Sequence, residues 1–339
     1  MFKKSEALEN AARLDTIVLD KTGTITMGKP TVVDWIPAKT SGLSANDLLT
    51  LAASVEKGSE HPIGKAIVAF AQKKGFVLTD PVNFKAHGGF GVEAKLNDQV
   101  FRLGKPGWFE QGGGLPEAIR ETIHTLQKKG RTVMVLAKEK DVLGILSVSD
   151  VLKPESIQAI KQLHAEHLKV VMLTGDNVQT AQAIARQVDV DEVYAEVRPE
   201  GKSEKVKDLQ QNNCRVGMVG DGINDAPALA QADIGFAIGT GTDVAIETGD
   251  VILAGGKLTG IPTAIKISRK TMVTIRQNLF LAFVYNIVLI PVAAGILAPF
   301  DMFPDFLRQL HPILAALAMA ASSISVVTNS LRLYTADIG

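Results

Sequence analysis

The fold is decided by the stretch LDTIVLDKTGTIT at residues 14–26, in which a short apolar run meets a polar, glycine-containing turn. The run from Leu14 to Leu19 predicts a buried strand, and the apolar runs at 169–173 and 215–219 predict two more. Between these strands lie helical stretches, near 155–166, 178–187 and 201–211. Strands that alternate with helices predict an α/β fold with a parallel, doubly wound sheet.

Each predicted strand ends in a polar signature. The first ends in Asp20-Lys21-Thr22-Gly23-Thr24, the second in Thr174-Gly175-Asp176-Asn177, and the third in Gly220-Asp221-Gly222-Ile223-Asn224-Asp225. A doubly wound sheet carries its site at the carboxyl ends of the strands, so we expect these carboxylates to converge. A lone Thr-Gly-Asp is common in surface turns, and the prediction therefore depends on the ordered series of three.

Converging carboxylates repel one another unless a cation lies between them. Mg²⁺ favours a few carboxylates together with water and phosphate oxygens, and an aspartate beside it is a plausible nucleophile toward phosphorus. Lys202 can neutralise charge on a transferred phosphoryl group, and Thr174 can donate a hydrogen bond to its oxygens. These residue types favour phosphoryl transfer through an aspartyl-phosphate.

The three signatures resemble the phosphorylation domain of P-type ATPases. The resemblance implies a haloacid-dehalogenase-like fold, phosphorylation of Asp20 by ATP, and Mg²⁺ held by Asp221, Asp20 and the Thr22 carbonyl. It also implies supporting or phosphate-binding roles for a second set of residues: Thr174, Gly175, Asp176, Lys202, Asn224 and Asp225. A haloacid-dehalogenase phosphatase shares these parts but usually has a general-acid aspartate where this chain has Thr22.

A long insertion at 31–141 separates the first two strands and is large enough for a domain of its own. The surrounding segments, 1–30 and 142–258, would form a discontinuous phosphorylation domain. Within the insertion, Glu56, His61, Gly89 and Gly91 resemble the nucleotide-binding domain of heavy-metal P-type ATPases, which implies an α+β domain in which they bind the adenine nucleotide. The segment from Arg102 to Lys105 departs from the family pattern, which often has Gly-Asn there.

The end of the chain differs in character from the rest. Of the 36 Lys+Arg and 36 Asp+Glu residues, only six lie in residues 271–339. A basic linker helix at 259–276 is expected to lead into transmembrane helices at 277–300 and 309–333, since about 20 apolar residues cross a bilayer. The basic flanks predict that the catalytic part and both termini are cytoplasmic and that the loop Asp301–Asp305 is outside.

Polar residues within a membrane helix suggest function. Tyr285 and Asn286 in the first span, and Met319 and Ser322 in the second, resemble the last two membrane helices of Cu(I)-transporting P-type ATPases. Soft thioethers suit Cu(I), and the spans contain no carboxylate for a harder divalent ion. The same ligands do not separate Cu(I) from Ag(I). Helix-to-helix hydrogen bonding is the alternative interpretation of each residue alone.

The formal net charge of zero argues against a nucleic-acid partner. Cys214 is the only cysteine in the sequence, and neither the Cys-Pro-Cys nor the Thr-Gly-Glu motif of the family occurs. The chain is therefore interpreted as the C-terminal half of a Cu(I)-exporting pump, with ATP, Mg²⁺, Cu(I) and a lipid bilayer as partners. A separate chain would carry the actuator domain and the first six membrane helices. The alternatives are a membrane-anchored phosphatase and a binding subunit that needs a partner chain.

Overall fold

The computed structural model describes residues 1–110, 114–139, 141–211, 214–297, 299, 300, 302, 304 and 312–335. It divides into two compact units, which are described separately. The first unit comprises Met1–Lys3 and Leu14–Ile261, and the second comprises Lys4–Arg13 and Pro262–Gly339.

The first unit contains a six-stranded parallel sheet in the order β12-β11-β10-β1-β8-β9. Its strands are β1 (Thr16–Asp20), β8 (Lys169–Leu173), β9 (Glu192–Tyr194), β10 (Val216–Gly220), β11 (Ile234–Ile238) and β12 (Val251–Leu253). Every residue of β1, β10 and β11 is buried. Strands covered on both faces need apolar residues on both, which explains the continuous apolar runs of the sequence.

Within the described residues, five helices belong to this α/β part of the unit. They are α6 (Ser156–Ala165), α7 (Val178–Val188), α8 (Pro199–Gln211), α9 (Ala226–Gln231) and α10 (Asp243–Thr248). Asn177 ends the signature after β8 and also caps α7, because its side-chain oxygen accepts a hydrogen bond from Thr180 N at 3.0 Å. The polar segment after β8 thus connects the end of that strand to the start of α7.

The insertion forms a six-stranded antiparallel sheet in the order β2-β7-β6-β5-β4-β3. Its strands are β2 (Thr26–Pro37), β3 (Val82–His87), β4 (Gly91–Leu96), β5 (Gln99–Gly104), β6 (Thr132–Lys138) and β7 (Asp141–Leu152). Its helices are α2 (Ala45–Glu56), α3 (Pro62–Lys73), α4 (Pro106–Glu110) and α5 (Glu117–Lys128). The two linkers to the parallel sheet are β2 and β7, which pair from Thr26↔Leu152 to Pro37↔Gly144.

The second unit contains α1 (Ser5–Ala12), α11 (Gly260–Ala293) and α12 (Pro312–Leu331). The predicted linker helix 259–276 and first span 277–300 form one continuous helix that ends at Ala293. Among the described residues, α11 is the one helix long and apolar enough to cross a membrane, and α12 has a shorter apolar stretch, Ala316–Leu331. Residues 309–311 of the second predicted span lie outside the described residues, as do Asp301, Phe303 and Asp305 of the predicted loop.

Candidate functional site

Three carboxylates meet at the carboxyl edge of the parallel sheet. Asp20 ends β1, while Asp221 and Asp225 follow the neighbouring strand β10. One oxygen from each lies within 4.8 Å of the others. We call Asp20, Asp221 and Asp225 the carboxylate cluster. The sequence predicted this convergence because parallel neighbours bring their carboxyl ends to one edge.

Lys202, on α8, is the buried cation of the cluster. Its Nζ lies 2.6 Å from Asp20 Oδ1 and 2.7 Å from Asp225 Oδ1. Burial lowers the pKa of Lys202, but the charges of Asp20 and Asp225 outweigh that effect and raise it above its usual range. Burial raises the pKa of Asp20 to about 7, with a further contribution from Asp225 and opposition from Lys202. The single ammonium group of Lys202 therefore does not fully neutralise the negative charge of the carboxylate cluster.

Burial also raises the pKa of Asp221, with help from the charge of Asp225 and against that of Lys153. The hard oxygen donors and the excess negative charge fit Mg²⁺, for which Asp20 and Asp221 are the candidate side-chain ligands. Gly23 allows the carboxylate of Asp221 to lie close to the turn after β1, because a Cβ at position 23 would lie 1.7 Å from Asp221 Oδ2. The φ of Gly23, +75°, also favours glycine at this position. Thr22, the candidate carbonyl ligand, is exposed in the same turn.

Asp225 also organises the loop after β10. Its Oδ2 accepts hydrogen bonds from the backbone N–H groups of Asp221 at 3.3 Å and Gly222 at 3.4 Å. Asn224 is exposed beside it. Asp225 therefore connects Lys202 to the backbone that carries Asp221.

An ion pair links the polar segment after β8, residues 174–177, to the residue that follows Asp20. Asp176 Oδ2 lies 2.6 Å from the Nζ of Lys21, the residue next to Asp20. Thr174 is buried, and its hydroxyl oxygen accepts a hydrogen bond from Asp176 N at 3.1 Å. Gly175, between them, is exposed. Lys21 was not predicted as a site residue, because nothing in the sequence indicates that it pairs with Asp176.

Two further residues near the cluster were missed. Asp150, near the end of β7, accepts hydrogen bonds from the Thr26 hydroxyl and from Lys29 N, and so joins β7 to β2. Burial lowers the pKa of Lys153, and Asp221 is the first of the carboxylates that oppose this shift. The only available signal was the charged segment Asp150–Lys153, a few residues after the predicted insertion.

The predicted nucleotide residues lie on the antiparallel domain. Glu56 ends α2, is 3% exposed, and its Oε2 finds no hydrogen-bond partner among the described residues. Burial raises its pKa to about 7, against the hydrogen bond from Ser59. A Cβ on Gly64 of α3 would lie 2.3 Å from Glu56 Oε2, so this glycine, which no sequence motif indicated, makes room for the carboxylate.

His61 caps α3 and is held in one tautomer by that contact. Its Nδ1 accepts a hydrogen bond from Ile63 N at 3.2 Å, so in the neutral ring the proton lies on Nε2. Desolvation and then the charge of Lys105 lower the pKa of His61, which favours the neutral ring. A neutral imidazole suits stacking on a base.

The two predicted glycines have different environments. Gly89 has φ +80° and open space where a Cβ would lie. At Gly91 a Cβ would lie 2.3 Å from Leu103 O, so a glycine is needed for the pairing of β4 with β5. The open surface at Gly89 fits a ligand contact, whereas Gly91 has a packing role.

The four candidate copper residues lie on α11 and α12. The Tyr285 hydroxyl is 3.4 Å from Ser325 Oγ, one helical turn from Ser322. Asn286 donates to Ala282 O of its own helix at 3.1 Å. Met319 is 72% exposed and shares a face of α12 with Ser322. The structure thus brings Tyr285 to the face of α12 that carries Ser322, while Asn286 is occupied locally.

The parallel sheet, the aspartate that ends its β1 strand and the buried lysine define a class of phosphoryl-handling proteins. The family model described as haloacid dehalogenase-like hydrolase matches residues 14–233, and the chain belongs to that family. Its homology to copper-transporting P-type ATPases extends over nearly its whole length.

Three relatives illustrate this similarity. Copper-transporting ATPase 1 of Rhizobium meliloti is 46% identical over 99% of this chain and 40% of its own length. A copper-exporting P-type ATPase of Staphylococcus aureus is 47% identical over 98% of this chain and 39% of its own length. The crystal structure of a zinc-transporting PIB-type ATPase aligns with a TM-score of 0.70 and 38% identity, over 98% of this chain and 52% of that one. The chain thus spans about 40% of the length of these curated relatives and corresponds to their catalytic part.

Proposed function

We propose that this chain is the catalytic part of a Cu(I)-translocating P-type ATPase that forms an aspartyl-phosphate at Asp20. The observation that carries the proposal is the buried contact of Lys202 with Asp20, in a cluster that also contains Asp221 and Asp225. A structural ion pair would not need a second and third carboxylate held within 4.8 Å. Phosphoryl transfer needs this surplus of oxygen donors for a cation.

In the proposed reaction, a carboxylate oxygen of Asp20 attacks the γ-phosphorus of ATP. The new O–P bond replaces the bond to the β,γ-bridging oxygen, and ADP leaves with that electron pair. Lys202 and the Thr174 hydroxyl stabilise negative charge on the transferred group. Mg²⁺, held by Asp20, Asp221 and the Thr22 carbonyl, supplies charge neutralisation when it is bound.

The nucleotide is proposed to bind on the antiparallel domain. Glu56 has a buried oxygen without a partner among the described residues, which suits a hydrogen bond from the adenine amino group. The neutral ring of His61 would pack on the base, and Gly89 leaves room beside it. The paired strands β2 and β7 would act as the hinge that brings the γ-phosphate to Asp20.

The transported ion is proposed to be Cu(I), or Ag(I), leaving the cytoplasm. Tyr285, Asn286, Met319 and Ser322 would contribute part of its path, and the names of the two relatives support copper. The catalytic part and both termini would be cytoplasmic. Because the sequence contains no Cys-Pro-Cys or Thr-Gly-Glu, a segment or partner chain that carries them would complete the transport site and the hydrolytic step.

Acid-stable phosphoenzyme trapping with ATP labelled on the γ-phosphate tests the proposal. The wild-type chain with Mg²⁺ should retain label, Asp20→Asn should lose it, and Asp243→Asn, an exposed aspartate on α10, should retain it. Label that survives in Asp20→Asn would disprove the assignment. Hydrolysis of small phosphate esters without ATP, by a chain that does not trap label from ATP, would favour the membrane-anchored phosphatase.

A further inference from the structure

Besides the paired strands β2 and β7, a packed contact connects the antiparallel domain to the α/β part of the first unit. It lies where the turn between α5 and β6 meets α7. Gly130 of this turn is buried, and a Cβ at position 130 would lie 3.1 Å from Ile184 Cδ1 and 3.6 Å from Ala183 Cβ. We call the turn 129–131 and the α7 residues Thr180, Ala183 and Ile184 the interdomain contact.

The turn 129–131 is built by the way in which α5 ends. Gly130 has a φ of +76°, in the left-handed region that favours glycine. Gly130 N donates to Gln127 O at 2.9 Å, and Arg131 N donates to Leu126 O at 3.2 Å. These two hydrogen bonds form a Schellman motif, which ends α5 and places the carbonyl of Arg131 against α7.

The Thr180 hydroxyl is the polar part of the interdomain contact. Thr180 is 1% exposed, and its hydroxyl donates to Arg131 O at 3.0 Å and accepts from Asn177 Nδ2 at 2.9 Å. The cap of α7 itself uses other atoms, the backbone N of Thr180 and Oδ1 of Asn177. The hydroxyl is therefore spent on the antiparallel domain and not on starting the helix.

The interdomain contact connects the catalytic edge of the parallel sheet to the ribbon of β2 and β7. On one side, the start of α7 adjoins Asp176, which pairs with Lys21. On the other side, the Arg131 side chain pairs with Asp34 of β2, which also accepts a hydrogen bond from Ser147 of β7. Two strands that pair with each other can twist as one ribbon, and a contact beside the ribbon restricts that twist.

We propose that Thr180 is a positioning residue for phosphoryl transfer, whose hydroxyl holds the antiparallel domain in the orientation from which its nucleotide reaches Asp20. Thr180 acts through the Arg131 carbonyl and not on the reacting atoms. The chemical consequence rests on the proposed function. The orientation itself is measured without nucleotide, so a failure of either is distinguished from a failure of the other.

Double electron–electron resonance on the full chain without nucleotide measures the orientation. Lys95→Cys on β4 and Lys207→Cys on α8 place spin labels at exposed positions of the two parts, and Cys214→Ala removes the native cysteine. In this background, Thr180→Val removes the hydroxyl with little change in shape and should broaden the distance distribution. Thr180→Ser keeps the hydroxyl and should restore the wild-type width.

Two more variants make the distance measurement specific. Thr122→Val is the matched control, because the Thr122 hydroxyl donates to Ala118 O of its own helix at 2.7 Å, and its distribution should match wild type. Gly130→Asn tests the interdomain contact from the other side. Asparagine tolerates a left-handed backbone, but its side chain would displace the turn from Ile184 and should also broaden the distribution. This variant carries the test if circular dichroism shows that Thr180→Val does not fold.

Rapid-quench phosphorylation measures the chemical consequence. At saturating ATP, Thr180→Val should form phosphoenzyme about tenfold more slowly than wild type, because small misplacements of reacting groups can cost about a hundredfold. Its affinity for ATP should match that of wild type, since the nucleotide residues are unchanged. Thr180→Ser should recover the wild-type rate.

Three outcomes would overturn the proposal. The first is an unchanged distance distribution in both Thr180→Val and Gly130→Asn, each shown to be folded. The second is a distribution as broad in Thr180→Ser as in Thr180→Val, which would assign the effect to packing. The third is a wild-type phosphorylation rate in a Thr180→Val variant whose distribution is broadened. Absence of phosphoenzyme in the wild-type chain would instead contradict the proposed function, and the distance distributions would still decide whether the hydroxyl sets the orientation.

Discussion

Lys202 offsets the charge of two buried carboxylates at once. Its ammonium contacts both Asp20 and Asp225, and all three side chains are at most one-tenth exposed. Removing one partner of a buried ion pair costs about 3–5 kcal/mol, because the remaining charge is left uncompensated. The residue is therefore expected to matter for folding as well as for chemistry.

Lys202→Met should lower the free energy of unfolding by about 3–5 kcal/mol in chemical denaturation without Mg²⁺. Added Mg²⁺ should recover part of this loss, since a cation at the carboxylate cluster offsets the same charges. Lys202→Arg, which keeps the charge in a larger side chain, is the control. Equal denaturation midpoints for Lys202→Met and wild type would contradict the charge balance described for the cluster.

Glu56 provides a second test, through the pH dependence of the protein's stability. Its pKa is raised from 4.5 to about 7 by burial. The folded state thus holds a proton that the unfolded chain releases, and the free energy of unfolding falls as pH rises from about 4.5 to 7. Glu56→Gln removes this dependence, so its stability relative to wild type should grow across that window, by at most about 3 kcal/mol at pH 8.

Thermal melts of Glu56→Gln and wild type between pH 4.5 and 8 measure this difference. Glu60→Gln, an exposed neighbour in the same loop, is the control for loss of a negative charge. A constant stability difference between Glu56→Gln and wild type across the window would show that Glu56 is not a buried titrating group. The same variant should weaken ATP binding, because the amide presents one acceptor where the carboxylate presents two.

The paired strands β2 and β7 connect the parallel sheet to the antiparallel sheet. The Thr26 hydroxyl lies 3.0 Å from Lys21 O and also contacts Asp150, while Asp150 accepts from Lys29 N at 3.1 Å. Asp34, further along β2, accepts from Arg131 and Ser147. The carboxylates of Asp34 and Asp150 thus link β2 to β7 at two places. At the second place, Asp150 contacts Thr26, whose hydroxyl also donates to Lys21 O, in the residue that follows Asp20.

Asp150→Ala should slow phosphoenzyme formation by tenfold or more, because small misplacements of reacting groups can cost about a hundredfold. ATP affinity should stay within about twofold of wild type, because Asp150 is not one of the proposed nucleotide-binding residues. It lies on β7, whereas Glu56 ends α2 and His61 immediately precedes α3. Rapid-quench phosphorylation and binding of a fluorescent nucleotide separate the two quantities. A parallel loss of affinity and rate would instead indicate general unfolding.

The elements that the sequence predicted well are those with strong patterns. The structure has β8 at the predicted 169–173, and α7 and α8 within two residues of the predicted helices. Local patterns do not reveal distant partners, which is why the Lys21–Asp176 ion pair, Gly64 beside Glu56 and the Asp150 contacts were missed. The basic stretch that ends at Arg276 and the apolar stretch after it form one helix, α11, because no helix-breaking residue separates them.

The chain contains both an intact carboxylate cluster and a pair of apolar helices. The cluster is complete within residues 20–225, all in the first unit. The four candidate copper residues of α11 and α12 include one thioether and no thiolate. Cu(I) sites are built largely from soft sulfur ligands. We therefore expect the phosphorylation of this chain to be independent of Cu(I).

The isolated chain should form phosphoenzyme at Asp20 whether or not Cu(I) is present, and turn over ATP slowly. Co-expression with a membrane segment that carries Cys-Pro-Cys and Thr-Gly-Glu should make turnover Cu(I)-dependent, because that segment supplies two thiolates and the group that positions water. Steady-state ATP hydrolysis with buffered Cu(I) measures both conditions, with Asp20→Asn as the inactive control. Cu(I)-stimulated turnover by the isolated chain would show that α11 and α12 suffice as a metal site, whereas Cu(I)-independent turnover in the co-expressed pair would show that the two segments do not couple.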